Sequence, residues 1–181
     1  EVEWLTTLAP LVCNEDGLPV RCRPRAPFSR RGFFNGDNLP GMGWHASGWI
    51  QQEATFWRRS LWQHAGGRLD ASLKLAGDFD LWARFFSHAE LYAVEVPMAA
   101  FRRHPGQRTA VMDKEYKAEA LSALRRHGGG SPSKTTAAAG LALRRLLPNR
   151  IKPLASRVGV LASGKICAYD PVSREWRIDH R

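Results

Sequence analysis

The chain reads as an α/β protein on three observations. Apolar residues flanking Asp16-Gly17, and again Tyr92, Val94 and Val96, form short runs bounded by turn residues, the pattern of strands. Phe79, Trp82, Phe86 and Ala89, widened by Leu81 and Phe85, recur instead at helical spacing. The chain is 44% hydrophobic over 181 residues, enough for one packed domain plus a tail.

Taken in order, Trp4 to Val20 reads as extended structure around the Asp16-Gly17 turn. Cys13 and Cys22 flank that turn, so they are either cross-strand neighbours or two ordinary strand cysteines. Arg21 to Gly43 lacks periodicity and is rich in Pro, Gly and Arg, which predicts a long loop. Its Arg21, Arg23, Arg25, Arg30 and Arg31 fit either contact with phosphate or plain solvation. Ser60 is placed to cap a short helix over Leu61 to Ala65, which Gly66-Gly67 would end in the left-handed conformation. That puts Gln51 to Arg59 just ahead of a helix, and Asp78 at the N-terminus of the next one. Tyr92, Val94 and Val96 alternate as a strand closed by Pro97, and Phe101 to His104 leads into a Pro105-Gly106 turn. A last helix of the body spans about Val111 to Arg126 and presents Met112, Tyr116, Ala120, Leu121 and Leu124.

Gly128 to Ser133 has linker composition. The expected organisation is a body over 1–127, a Gly/Ser/Pro linker over 128–136 and a basic extension over 137–181. Within the extension, Leu141 to Leu147 suggests a short basic amphipathic helix and Lys165 to Trp176 a small strand pair.

The formal net charge is +10, but it is unevenly held. Residues 1–120 carry 15 Lys/Arg against 14 Asp/Glu, whereas residues 121–181 carry 12 against 3. A near-neutral body with a basic tail points to an anionic surface such as phospholipid head groups or a pyrophosphate-linked acceptor, and not to a body built around nucleic acid. Three cysteines without paired spacing argue against both a zinc site and a full disulfide framework, and suggest a reducing compartment. The start, Glu1-Val2-Glu3-Trp4, has no leader pattern and looks like a cut through a longer protein. The longest small-apolar run, Ala137 to Leu143, is far short of the roughly 20 residues that cross a bilayer. The expected location is cytoplasmic, with peripheral contact between the tail and the inner face of an anionic membrane.

Three segments carry the chemistry. They are Gln51-Gln52-Glu53-Ala54-Thr55-Phe56-Trp57-Arg58-Arg59, then Ala76-Gly77-Asp78-Phe79-Asp80-Leu81-Trp82-Ala83-Arg84, and finally Phe101-Arg102-Arg103-His104-Pro105-Gly106-Gln107. In order and spacing they resemble the second half of family-two glycosyltransferases of the GT-A fold: a Q-x-x-T-F-W-R-R acceptor-side segment, an E-D-x-D-L-W-x-R helix start and a late F-R-x-H strand end. The resemblance covers about residues 1–112 and departs at Gly77, where many relatives carry an acid. It implies the C-terminal part of a GT-A, Rossmann-like domain, followed here by the basic extension.

The resemblance also implies roles. Asp78 matches the base that takes the proton of an acceptor hydroxyl while that oxygen attacks the anomeric carbon and expels a nucleoside diphosphate, with inversion. Independently, a helix N-terminus favours the ionised carboxylate that a base needs; the plainer alternative for Asp78 is a helix cap. Gln52, Glu53, Trp57, Arg58, Arg59, Asp80, Arg102 and His104 are the candidate substrate contacts, with Trp57 the best placed to stack on a sugar and His104 the candidate metal or diphosphate contact. Asp80 also suits an i,i+4 bond to Arg84, and its spacing from Asp78 disfavours an opposed pair of glycosidase type. The implied partners are a nucleotide-sugar donor and a glycan or lipid-linked acceptor, within polysaccharide or cell-envelope glycan biosynthesis. The implied cofactor is a divalent cation, Mg2+ or Mn2+, held mainly by an upstream half. No Asp-x-Asp at a strand end and no Q-x-x-R-W is present, since Asp78-Phe79-Asp80 opens a helix. A non-catalytic sugar- or anionic-polymer-binding module is the alternative of another class.

If the donor-binding residues lie outside the chain, calorimetry with UDP or dTDP and a divalent cation should give weak or no binding. Tight stoichiometric binding would reveal a donor site within these residues.

Overall fold

The computed structural model describes residues 1–40, 48–130, 146–148, 151 and 164–180. It is a mixed α/β structure with two sheets. The larger has the order β4-β1-β5-β7-β8 and the smaller β3-β2-β6. In the larger sheet, β1 (Trp4–Thr7), β5 (Leu91–Val94) and β7 (Lys165–Asp170) run parallel, while β4 (Phe56–Trp57) and β8 (Glu175–His180) pair antiparallel at the two edges. In the smaller sheet, β2 (Leu11–Cys13) lies between antiparallel β3 (Pro19–Cys22) and parallel β6 (Ala100–Arg102).

A parallel strand covered on both faces has no solvent side, so its sequence need not alternate. All four residues of β5 are buried, and the strand stops at Val94 rather than at Pro97. Val96, expected to continue the alternation, is exposed, and its carbonyl accepts the Thr7 hydroxyl at 2.6 Å.

The β2–β3 hairpin turns where the sequence indicates. Asn14 Oδ1 accepts the N–H groups of Asp16 at 3.1 Å and Leu18 at 2.8 Å, and Gly17 takes φ +83°. Cys13 faces Pro19 and Cys22 faces Leu11, so the two cysteines are not opposed, and all three cysteines are free thiols.

The stretch predicted as one long loop contains helix α1 (Arg30–Phe34), capped by Ser29, whose Oγ accepts the Gly32 N–H at 3.1 Å. A five-residue helix is too short for a hydrophobic period to show; burial of Phe33 against the core makes it stable. Loop arginines are engaged within the protein. The Arg25 guanidinium stacks 4.3 Å from the Trp49 ring centroid, and Arg30 pairs with Glu90 at 3.2 Å.

Helix α2 (Arg59–His64) begins two residues before the expected start. Ser60 therefore lies inside it and reaches Glu3 at 3.4 Å instead of capping. Gly66 and Gly67 do end it, at φ +96° and +62°, with the Gly67 N–H donating to the Trp62 carbonyl at 2.8 Å. Helix α3 spans Gly77–His88, and the last predicted helix is split into α4 (Arg108–Val111) and α5 (Asp113–Arg126). Ala120, Ala123 and Leu124 of α5 are fully buried against the core that α3 shares with β1 and β5.

The C-terminal strand pair is present, but it is not an appendage. Strand β7 adds to β5 with Tyr92 opposite Lys165 and Ala93 opposite Ile166, and Ile166 is 1% exposed. The body therefore does not end near residue 130. Gly129 and Gly130, read as linker, donate to the carbonyls of Leu124 and Phe34, both at 2.9 Å. Residues 131–145, which include most of the expected basic helix, lie outside the described residues. Among the described residues, no helix is long and apolar enough to cross a membrane.

Gly164, just before β7, passes so close to α1's approach segment that an added Cβ would sit 2.4 Å from both the Phe28 carbonyl oxygen and Pro27 Cβ. Gly164→Ala should thus cost about 1–3 kcal/mol in denaturant unfolding, whereas Gly130→Ala, with open space around its Cβ, should leave stability nearly unchanged. Equal midpoints for both variants would mean that β7 is not seated as described.

Candidate active site

Asp78 occupies the second position of α3, and Ala76 holds the cap position, so Asp78 is not the cap. Its Oδ1 accepts the N–H of the next residue, Phe79, at 2.7 Å. The side chain lines a cavity of about 10 Å³, room for one water, together with Phe33, Asn38, Trp49, Ile50, Phe79, Trp82 and Tyr116. No ion pair to Asp78 is found among the described residues. Burial raises its pKa above the ordinary carboxylate value; N–H donation from Phe79 and from its own backbone works the other way, and the Glu53 carboxylate adds to the rise. The net direction is opposite to the one a helix N-terminus sets, because removal from water outweighs the dipole here. Tyr116 responds in kind: burial, then the nearby Asp78 charge, push its phenol well above the usual tyrosine range.

Asp80 has the opposite surroundings. It is 4% exposed, and its two oxygens are held by Arg84 at 3.0 Å, His127 at 3.0 Å and Arg126 at 3.4 Å. The i,i+4 bond to Arg84 is the one that the spacing suggests. Arg84 also donates to the carbonyls of Ala65 and Arg68, tying the end of α2 to α3. Arg126 continues to Asp70 at 2.9 Å; hydrogen bonds from Ser72 first, and then Arg126, draw the Asp70 carboxyl down to about 2. Asp80 is thus committed to the junction of α2, α3 and α5 rather than open to a substrate.

The acceptor-side segment splits into buried and exposed parts. Gln51 is buried and its Nε2 donates to the Leu11 carbonyl at 3.3 Å, while Gln52 and Glu53 are exposed on a single 3-10 turn, Gln52–Ala54. Buried Thr6 of β1 holds this turn, bonding the Ala54 carbonyl at 3.2 Å and the Thr55 hydroxyl at 2.9 Å. Trp57 is 37% exposed and stands at the edge of an aromatic group, 6.5 Å from Trp62 and 5.8 Å from Trp82 between ring centroids. Arg58 turns back to the Val2 carbonyl and to Glu1 at 2.9 Å, and Arg59 is exposed at the start of α2.

Arg102 and His104 lie elsewhere. His104 lines an open cleft of about 650 Å³ with Cys13, Asn14, Glu15, Arg103 and Gln107, and shares no cavity with Asp78. Its Nδ1 lies 2.9 Å from the Pro105 carbonyl oxygen, and Arg102 is exposed at the end of β6. The donors around His104 do not suit Mg2+ or Mn2+. A hard cation wants several oxygens, yet only Glu15 offers a free carboxylate there, and Asn14 Oδ1 is already committed to its turn. Among the described residues, no group of three or more His, Cys, Asp or Glu side chains is placed to share a metal.

The residues missed from sequence are those that the fold brings to Asp78: Tyr116, read only as part of an apolar stripe, and Asn38 and Trp49. Each is remote along the chain, and no local spacing marks any of them.

The two carboxylates should respond oppositely to neutralisation. The folded-state pKa of Asp78 is raised, so its contribution favours folding most at acid pH and is lost as pH rises through that value. Asp78→Asn should therefore raise the melting temperature relative to wild type near neutrality, with the gain shrinking toward about pH 4. Asp80→Asn takes the charge from the buried carboxylate that joins Arg84, His127 and the half-exposed Arg126, and should lower the melting temperature. Matched melts over pH check both, and a destabilised Asp78→Asn at neutral pH would contradict the burial described.

Comparison of the chain with protein families, curated proteins and solved structures finds no match, so a functional reading has to stand on this geometry and the sequence motifs.

Proposed function

We propose that this chain is the acceptor-side portion of an inverting glycosyltransferase in which Asp78 is the general base. The observation that supports it best is the separation of two carboxylates in one helix turn. Asp80 is held by Arg84, Arg126 and His127, whereas Asp78 has no cation partner among the described residues and lines a small cavity with Trp82, within electrostatic reach of Glu53 and with exposed Trp57 5.8 Å from the Trp82 ring. A cavity-lining carboxyl left without a cation is a candidate base, whereas one tied down by ion pairs is not free to take a proton from a substrate.

In this reading the acceptor hydroxyl gives its proton to an Asp78 oxygen as the hydroxyl oxygen bonds to the anomeric carbon. The bond from that carbon to the donor diphosphate breaks on the opposite face, which inverts the centre. A carboxylate made more basic by burial is the better proton acceptor. Trp57, open on one side, is suited to stack on the acceptor sugar. A divalent cation, where the reaction uses one, would neutralise charge on the leaving diphosphate; residues outside those described here would have to hold it.

The test is Asp78→Asn in the longest natural chain that contains these residues, assayed for sugar transfer. Turnover should fall by about 10²–10⁴-fold with the protein still folded, while any loss in Asp80→Asn should follow its lower melting temperature. Near-normal turnover in a folded Asp78→Asn protein removes Asp78 from the mechanism.

A further inference from the structure

Helix α3 begins without a side-chain cap of its own, because its cap position is Ala76. The orphan N–H groups that precede it are met from another part of the fold. Glu119 of α5 accepts three consecutive backbone N–H groups, from Lys74 at 3.2 Å through Oε1 and from Leu75 at 2.8 Å and Ala76 at 3.0 Å through Oε2. Those three residues lead straight into Gly77-Asp78. Gly77 has no side chain to pack, and nothing lies within 4 Å of where its Cβ would stand.

We propose that Glu119 is a positioning residue for Asp78: its carboxylate holds the 74–76 backbone that launches α3 and so sets where the Asp78 carboxylate stands. This rests on the reading of Asp78 as the general base.

Three features favour it over an ordinary surface contact. Both carboxylate oxygens are used, and charge-assisted bonds to N–H groups are roughly twice as strong as neutral ones. Burial by itself would push the Glu119 pKa up, yet the N–H donors of Ala76, Leu75 and Lys74, helped by the Lys74 ammonium, bring it below the ordinary value. The seat of Glu119 is also rigid, since the next residue, Ala120, is fully buried, as are Ala123 and Leu124. Tyr116, one turn earlier on α5, lines the Asp78 cavity. One helix thus supplies both the wall of that cavity and the clamp on the backbone that enters it.

The decisive variant is Glu119→Gln, which keeps size but turns an amide NH2 toward N–H donors. Two readouts are taken where circular dichroism shows the variant fully folded. The first, on this chain and independent of any activity, is the titration of the Asp78 carboxyl carbon by NMR. Release of the 74–76 backbone should admit water to Asp78 and move its midpoint down toward the ordinary carboxylate range. The second, on the longest natural chain, is acceptor kinetics, where kcat should fall about 10–100-fold, the effect of a small misplacement, with KM for the acceptor within about twofold. A cap that served stability alone would lower the melting temperature and leave both readouts unmoved, and that result overturns the proposal. Should Glu119→Gln be unfolded, Glu119→Asp carries the same test, with smaller shifts in the same directions. Failure of the underlying reading is distinguishable, because it would show as normal turnover in Asp78→Asn whatever Glu119 does to the titration.

Discussion

Helix α3 is locked in rotation by aromatic packing on both of its flanks. Trp4 of β1 stacks on Trp82 at 5.6 Å and meets Phe85 and Phe86 edge-on at 5.3 and 4.8 Å, while Phe33 of α1 stacks on Phe79 at 4.7 Å. With about 100° of turn per residue, the side chains at 78 and 80 must then leave the helix on nearly opposite sides. One points toward the cavity beside Tyr116, the other toward the junction with α2 and α5. The contrast between the two carboxylates follows from this single packing constraint.

That contrast is electrostatic as well as geometric. The Asp80 junction uses three cationic or protonatable partners drawn from two helices, so its charge is neutralised locally. At Asp78 no opposing charge stands among the described residues; burial and the nearby Glu53 carboxylate raise the cost of ionisation, and the Asp78 charge in turn pushes up the phenol of Tyr116. A partly buried carboxylate with a backbone N–H donor but no cation beside it is a liability for stability, and such liabilities concentrate where chemistry needs them.

The sheet ties the remaining parts to this helix. Thr6 and Thr7 of β1, both buried, bond the 3-10 turn on one side and the Val96 carbonyl on the other, so the exposed Glu53 and Trp57 are presented at fixed positions. Strand β7 extends the same sheet beyond β5. The strand pair near the C-terminus is therefore part of the body's own sheet.

Much of the local structure was legible in the sequence because its causes are local. The Asn14–Leu18 turn, the glycine stop after α2, the helical stripe from Phe79 to Phe86, the Asp80–Arg84 bond and the strand pair near the C-terminus all follow from contacts within a few residues. Other features were decided only by tertiary structure, because their causes lie far apart in the chain. Helix α1 is five residues long and stands on Ser29 and the burial of Phe33; β5 lost its alternation when covered on both faces; β7 joined the main sheet across more than seventy residues. The same holds for the site. Asp78 and its place at a helix start could be read directly, whereas the sign of its pKa shift, the presence of Tyr116 and the carboxylate of Glu119 beneath its backbone came from burial and from a helix some forty residues later, which no local spacing encodes.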